Sequence, residues 1–153
     1  MSVLWRISNH SDLSGEGGRR GSARWHTRGR PIVYLADSPA SAMLEQIVHL
    51  QDGNGKLPSF YHLLEIRAPE DLPIKDVLTM ADAGWKQKLE LTQRIGNAWL
   101  ASLATPLARV PSAIVPRTWN YLLNPEHPDA GHVKIESAVR ERFDNRLFRF
   151  GPR

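Results

Sequence analysis

The sequence predicts a single α+β domain in which short strands alternate irregularly with two helices. Short runs rich in β-branched and aromatic residues recur along the whole chain, as strands require. Two longer segments instead carry apolar residues at helical spacing. The chain has 153 residues, of which 41% are apolar. That composition is sufficient for one sizeable core, so we expect one domain over residues 1–153.

Seven short segments have the composition of strands. They are residues 3–8, 32–36, 60–67, 113–115, 121–123 and 133–137, with 147–150 as a candidate for the last. Glycine, asparagine, aspartate and proline predict loops over residues 51–58 and 68–73. The strands therefore divide the chain into pieces too irregular for a regular alternating βα sheet.

The first helix is predicted to begin at Ser38 and Pro39, because serine caps a helix N-terminus and proline suits its first position. Helical spacing directs one set of side chains toward the core: Met43, Leu44, Ile47, Val48 and Leu50. A neighbouring face carries Ala42, Glu45 and His49. The helix is therefore expected to hold Glu45 rigidly beside its apolar side.

The second helix is predicted over residues 87–103. Its apolar residues are broadly periodic, namely Leu89, Leu91, Ile95, Trp99 and Leu103. Gly96 interrupts this pattern and costs a helix about 1 kcal/mol relative to alanine.

Positive charge is concentrated in one part of the chain. Twenty lysine and arginine residues against sixteen acidic residues give a net charge of +4. Five arginines fall within twelve residues, at positions Arg19, Arg20, Arg24, Arg28 and Arg30. A guanidinium matches phosphate oxygens in two-point contact, so the cluster predicts phosphate binding, most strongly at Arg24. A solvated surface loop is the alternative interpretation.

Several site classes are disfavoured by the sequence. The chain has no cysteine, which excludes disulfides and thiolate ligands and suits a reducing cytoplasm. No apolar stretch is long enough for a signal peptide or a membrane span, so we expect a cytoplasmic protein. The six histidines lack close metal-ligand spacing, and no metal is predicted. Glycines at 15, 17, 18 and 21 precede no Walker lysine, although they suit a flexible lid.

A more specific signal is carried by four segments in chain order. They are LWRIS (4–8), GSARWHTRGRPIVYLADSPASAMLE (21–45), VPSAIVP (110–116) and NYLLNPEHP (120–128). Together they resemble the RES-domain family, which supplies the toxin half of bacterial toxin–antitoxin pairs. The resemblance implies a fold related to ADP-ribosyltransferases, NAD as substrate, and a neutralising antitoxin that carries an Xre-type helix-turn-helix.

The resemblance also implies a set of site residues. Arg24 would bind the pyrophosphate or a ribose edge, and Tyr34 would offer its ring to the nicotinamide. Cleavage of the bond from ribose to nicotinamide releases a neutral leaving group and builds positive charge on the sugar, so a fixed carboxylate stabilises the transition state. Glu45 is the candidate for that carboxylate. Ser112 and Arg6 match further family positions and are expected to assist NAD binding.

Alternatives remain open at this point. The acceptor of the ADP-ribosyl group is water, phosphate or a protein side chain, and the last would make the chain a protein ADP-ribosyltransferase toxin. A basic nucleic-acid-binding module would use the arginine cluster on phosphates and Trp5, Trp25 or Trp119 on bases. A purely structural partner protein is a further alternative. In the segment NYLLNPEHP, we expect Asn120, Asn124 and His127 to shape a turn.

Overall fold

Seven strands form one mixed sheet in the computed structural model, which describes residues 1–51, 58–78 and 84–148. The strands are β1 (Ser2–Ser8), β2 (Val33–Ala36), β3 (Phe60–Ala68), β4 (Ile74–Asp76), β5 (Leu107–Pro111), β6 (Trp119–Leu123) and β7 (Lys134–Arg142). Their order across the sheet is β4-β5-β6-β2-β1-β3-β7. β4 and β5 are parallel, and the other neighbouring pairs are antiparallel.

Within these described residues, three α-helices accompany the sheet, namely α1 (Glu16–Arg20), α2 (Pro39–Gln51) and α3 (Leu89–Ser102). Short 3₁₀ turns lie at Trp85–Gln87, Ala130–His132 and Asn145–Phe148. The predicted start of α2 is confirmed, because the Ser38 hydroxyl accepts the Ser41 N–H at 3.1 Å. The predicted α+β class is also confirmed.

Different parts of the chain pack against the two faces of the sheet. On one face, Leu4, Val33, Leu35 and Leu64 belong to a cluster bordered by loop residues such as Leu13. On the other face, α2 packs through Ala42 against Ile7 and Ala36. α3 packs beside it, with Trp99 and Leu100 against Trp25, Val110 and Leu122. We call this second side the helix face; it carries Tyr34, Ala36, Val110, Asn120 and Leu122.

Most predicted strands are confirmed, but the strand predicted at residues 113–115 is wrong. The chain bends there because the Ser112 hydroxyl accepts the N–H groups of Ile114 and Val115 at 3.1 and 3.2 Å. The strand in this region is β5, which ends at Pro111. The candidate last strand is also wrong for residues 147 and 148, which form part of a 3₁₀ turn, and residues 149 and 150 lie outside the described residues.

The predicted core side of α2 requires one correction. Ile47 is buried as expected, but Leu44 is 37% exposed. The small side chain of Ala42 occupies the contact with the sheet instead, which lets the helix lie close to Ala36. The side of α2 that carries Glu45 therefore lies toward β5 and β6.

The segment with glycines at 15, 17, 18 and 21, which we call the glycine segment, is packed at Gly15 and Gly18, so the flexible lid expected there is wrong. Gly15 has φ 75°, and a Cβ at that position would crowd the backbone of Ile32. A Cβ on Gly18 would meet the Arg30 carbonyl and the Ile32 side chain. The Gly18 carbonyl also accepts the Gly29 N–H at 3.3 Å. The short helix α1 is therefore held against residues 29–32.

Candidate active site

Glu45 reaches the end of the helix face from α2 and is held there by two donors. Ser112 Oγ donates to Glu45 Oε1 at 2.9 Å, and Asn120 Nδ2 donates to the same oxygen at 2.8 Å. Within residues 1–51, 58–78 and 84–148, no hydrogen bond reaches Oε2. The carboxylate is thus fixed through one oxygen and presents the other for further contacts.

Ser112 is saturated by its neighbours. Its single O–H is donated to Glu45, and its oxygen accepts the N–H groups of Ile114 and Val115. A hydroxyl has one donor and two acceptor sites, so all three are in use. The side chain is 4% exposed. A substrate contact from Ser112 would require one of these bonds to break.

Asn120 lies within β6, and the interpretation of this residue as a turn former is wrong. It pairs with Ala36 on one side and Val110 on the other. Its Oδ1 is buried and lacks a hydrogen-bond partner among the described residues. Leaving such an oxygen unpaired costs about 1–3 kcal/mol. Its strand parity with Leu122, an inward-facing position, is the sequence signal that indicates a buried polar group.

The loop that carries Arg24 is attached to α3 through its main chain. We call residues 21–31 the arginine loop. The attachments are Thr92 Oγ1 to the Arg24 carbonyl (2.6 Å), Gln93 Nε2 to the Ala23 carbonyl (3.0 Å), and the Thr27 N–H to Asn97 Oδ1 (3.1 Å). Between them, Gly96 lies directly against the carbonyl group of Trp25, where a Cβ would overlap it. Glycine therefore permits this contact, which explains the break in the helical pattern.

The Arg24 side chain is half-buried and lies near the start of α3. Its Nη1 donates to the Lys86 carbonyl at 3.0 Å. A guanidinium has five N–H donors, so capacity for a further ligand remains after this bond. Trp25, which follows it, is 3% exposed and packs against Trp85 with ring centroids 5.8 Å apart.

Tyr34 joins β2 to the arginine loop through its hydroxyl. The oxygen accepts the Trp25 N–H at 3.1 Å and lies 2.7 Å from His26 Nδ1. His26 Nε2 faces the carbonyls of Gly18 and Gly21, at 3.1 and 2.8 Å, so it carries the hydrogen and Nδ1 accepts from Tyr34. Burial raises the pKa of Tyr34 well above its ordinary value. The Trp25 N–H and the charge of Arg24 lower this pKa, but their effects are smaller than that of burial. Burial likewise lowers the pKa of His26, which favours the neutral ring.

Arg24, Tyr34 and Glu45 therefore meet the same face of the sheet. Tyr34 is two residues from Ala36, which pairs with Asn120, the donor to Glu45. Two residues along a strand share a face, at a separation of about 7 Å. β2 thus extends from the arginine loop to the carboxylate. His26 links this loop to Tyr34. This role was not predicted from the sequence, because no spacing pattern marks His26.

The structure does not bring Arg6 to this site. Arg6 has the strand parity of Leu4, whose face is opposite to that of Tyr34. Its Nη1 donates to the Asp12 carbonyl at 2.7 Å. Burial lowers the pKa of Arg6, and the charge of Asp12 partly offsets that effect. The guanidinium is therefore used to hold the segment that precedes α1.

Arg24 does not share the groove that other arginines of the cluster line. Arg19 pairs with Glu16 at 3.2 Å and lies 3.6 Å from Glu126. Arg28 and Arg30 line a groove of about 510 Å³ at the C-terminal end of α3, which does not include Arg24, Tyr34 or Glu45. The half-buried Arg24 is separate from both. Arg24 therefore has a different environment from Arg19, Arg28 and Arg30, and phosphate binding stays a prediction.

The model of the RES domain matches residues 3–144. The chain belongs to the RES-domain family. A curated relative named Toxin Res, from Pseudomonas putida, is 47% identical over 95% of this chain and 99% of its own length. The Prs ADP-ribosylating toxin of Sphingobium is 37% identical over 95% of this chain and 96% of its own length. The predicted resemblance of this chain to RES-domain toxins is therefore confirmed.

A solved structure shares the fold. The crystal structure of the M. tuberculosis MbcT–MbcA toxin–antitoxin complex contains a chain that matches with a TM-score of 0.72 and 22% identity. The match covers 92% of this RES-domain chain and 84% of the other. In the described part of the RES-domain chain, no helix is long and apolar enough to cross a membrane. The same residues contain no group of three or more histidine, aspartate or glutamate side chains suited to a metal ion.

Proposed function

We propose that this RES-domain toxin consumes NAD by cleaving the bond between nicotinamide and ribose. The observation that carries the proposal is Glu45, a carboxylate fixed through Oε1 with Oε2 left for the substrate. The departing nicotinamide is neutral and needs no general acid. Positive charge develops on the ribose ring, and a preorganised negative charge stabilises that state more than the ground state.

Arg24 and Tyr34 would position the dinucleotide for this reaction. The Arg24 guanidinium keeps free donors for pyrophosphate oxygens, and its main chain is held by Thr92. Tyr34 uses its hydroxyl on Trp25 and His26, so its ring face is the part that would contact nicotinamide. For Ser112, the saturated hydroxyl favours support of Glu45 over direct NAD binding.

A second candidate function concerns the acceptor. The Sphingobium relative is named as an ADP-ribosylating toxin, which favours a protein acceptor at the same site. Water would give ADP-ribose, and phosphate would give ADP-ribose 1-phosphate. The chemistry at Glu45 is common to all three acceptors, since each attacks the same sugar carbon after nicotinamide departs.

Control by an antitoxin follows from the proposed activity. A free enzyme that drains NAD arrests its own cell, and the solved structural match comes from a toxin–antitoxin complex. We propose an Xre-type helix-turn-helix antitoxin that covers the approach to Arg24, with DNA contacted only through that partner. An acidic or carboxylate-bearing element, such as a C-terminus, would pair with the guanidinium as phosphate does.

The decisive experiment is incubation of the purified protein with NAD and detection of free nicotinamide. Release at catalytic rates supports the proposal, and intact NAD contradicts it. Reactions with and without phosphate, and with labelled NAD in a cell lysate, identify the acceptor from the labelled product. Expression alone should arrest growth, and co-expression of the antitoxin should restore growth and suppress nicotinamide release.

The nucleic-acid alternative is weakened by the buried position of Trp25 and the acidic partners of Arg19. Trp119 is also engaged, because Arg109 lies over its ring at 4.4 Å. A binding module would leave the fixed carboxylate without a purpose. Salt-dependent retention of DNA together with stable NAD would favour it instead.

A further inference from the structure

Asn120 is a polar residue at a position where the sheet would accept an apolar one. Its strand neighbours on the helix face are Ala36 and Val110, and Leu122 follows at the same parity. Its Oδ1 is buried without a partner among the described residues. An apolar residue of equal size would remove that unpaired oxygen. The fold alone therefore gives no reason for asparagine here.

The contact that Asn120 does make explains the residue. Its Nδ2 donates to Glu45 Oε1 at 2.8 Å across 75 residues of sequence. A carboxylate only accepts hydrogen bonds, so the amide nitrogen must face Glu45 and Oδ1 must point away. Ser112 donates to the same oxygen from the end of β5. Two donors on one oxygen determine both the position and the rotation of the carboxylate.

We propose that Asn120 is a positioning residue that, with Ser112, fixes Glu45 so that Oε2 faces the substrate. This inference rests on the proposed NAD cleavage and extends it to a residue that contacts the catalytic group and not the substrate. Misplacement of a reacting group by about 1 Å reduces rates by about 10²-fold. Loss of a hydrogen bond that orients a metal ligand in a metalloenzyme costs about 10–100-fold, and we expect an effect of that order for a carboxylate oriented in the same way.

Asn120→Leu and Asn120→Asp test the proposal in different ways. Leucine removes the donor and the buried oxygen, so the variant should fold with unchanged or higher stability. Its kcat should fall by about 10–100-fold while KM changes little. In Asn120→Asp, two carboxylates face each other and share one proton. That proton restores a donor to Glu45, so activity relative to wild type should rise as the pH is lowered.

Asn124 is the matched control, because it is a buried asparagine one residue beyond β6. Its Nδ2 donates to the Leu100 carbonyl and its Oδ1 accepts the Glu126 N–H. Asn124→Leu should lose stability and keep the kcat of the folded fraction. Full kcat in folded Asn120→Leu, or a ratio to wild type for Asn120→Asp that does not change with pH, would overturn the proposal.

A measurement without NAD separates this inference from the proposed function. The side-chain carboxyl ¹³C NMR signal of Glu45, identified by its loss in Glu45→Gln, should shift in Asn120→Leu and remain in place in Asn124→Leu. An unmoved signal in Asn120→Leu contradicts the positioning role even if wild type cleaves NAD. Absence of nicotinamide release by wild type contradicts the proposed function alone, and the NMR result still decides the role of Asn120.

Discussion

At the scale of single residues, Glu45 depends on donors that are distant in sequence. Ser112 is 67 residues away and Asn120 is 75 residues away. Helix position alone makes a glutamate an ordinary surface charge, because exposed carboxylates are common on amphipathic helices. Glu45 differs from such a surface glutamate because two donors fix its Oε1 and hold the negative charge at the helix face of the sheet.

Glu45→Gln is expected to retain the fold and lose NAD cleavage by about 10²- to 10³-fold. The amide oxygen of glutamine can accept both hydrogen bonds now made to Oε1, so its NH₂ replaces Oε2 and the charge disappears. Nicotinamide release and circular dichroism of the same preparation measure the two effects. Near-normal turnover in a folded variant would remove Glu45 from the mechanism.

Arg24→Lys is expected to weaken NAD capture although the charge is kept. An ammonium cannot reproduce the planar two-point contact of a guanidinium with phosphate oxygens. Arg28→Lys is the matched control, because Arg28 lies in the same loop but lines a different groove. The KM for NAD of both variants should be compared at two salt concentrations. Equal losses with the same steep salt dependence would indicate a diffuse basic patch.

Tyr34→Phe isolates the hydroxyl from the ring. The Trp25 N–H and His26 Nδ1 lose their partner, and one unpaired buried group costs about 1–3 kcal/mol. We expect lower stability with the ring contact to nicotinamide retained, so most of the kcat should persist in the folded fraction. Tyr34→Ala should lose kcat as well. Urea unfolding and single-turnover kinetics separate these outcomes, and an inactive, stable phenylalanine variant would assign the hydroxyl to the reaction.

At the scale of elements, α3 serves as the support of the arginine loop. Thr92, Gln93 and Asn97 bind the main chain of that loop, and Gly96 allows Trp25 to approach. The helix therefore contributes to the site although none of its own side chains has a proposed contact with NAD. Its polar residues would otherwise be taken for a solvated surface.

Gly96→Ala is expected to destabilise the protein, although alanine normally favours a helix. The added methyl group overlaps the Trp25 carbonyl, and overpacking of this kind costs about 1–3 kcal/mol. Displacement of the loop should also raise the KM for NAD. Ala98→Gly, at an exposed position of α3, should cost about 1 kcal/mol and leave KM unchanged. A Gly96→Ala variant with higher stability would contradict the contact.

The sequence predicted those elements whose pattern is local. Ser38 and Pro39 marked α2, and the apolar strands β1, β2 and β3 were found near their true bounds. β4 was missed because its three residues are exposed and carry no alternation. Asn120 and His26 were missed for another reason. Asn120 bonds a glutamate 75 residues away. The contacts of His26 with Gly18, Gly21 and Tyr34 depend on how the arginine loop folds, which no spacing in the sequence encodes.

At the scale of the whole molecule, His26 connects β2, the arginine loop and the glycine segment. Burial lowers its pKa below the ordinary value of 6.5, so the unfolded chain binds the proton more readily. The contribution of His26 to stability is therefore complete above pH 6.5 and is lost as the pH falls below it. A proton on Nδ1 would also remove the acceptor for the Tyr34 hydroxyl.

We expect the free energy of unfolding to decrease as the pH falls from about 7 to about 5, with part of that slope absent in His26→Asn. Urea unfolding of both proteins across this range gives the difference, in which the other histidines cancel. Equal slopes would show that the pKa of His26 is the same in the folded and unfolded states, and would contradict the effect of burial. Arg24→Lys serves as a control that leaves the titrating ring in place.

Side chains of α3 form hydrogen bonds with main-chain carbonyl and amide groups of the arginine loop. These bonds do not depend on which side chains residues 23–25 carry. Arg24 in particular can be exchanged without removing the Thr92 bond to its carbonyl. Substitution at this position therefore offers a way to prepare a harmless, correctly shaped form of the toxin. Such a form could be produced in quantity without its antitoxin, and its binding to that partner would measure how much the partner depends on the Arg24 guanidinium.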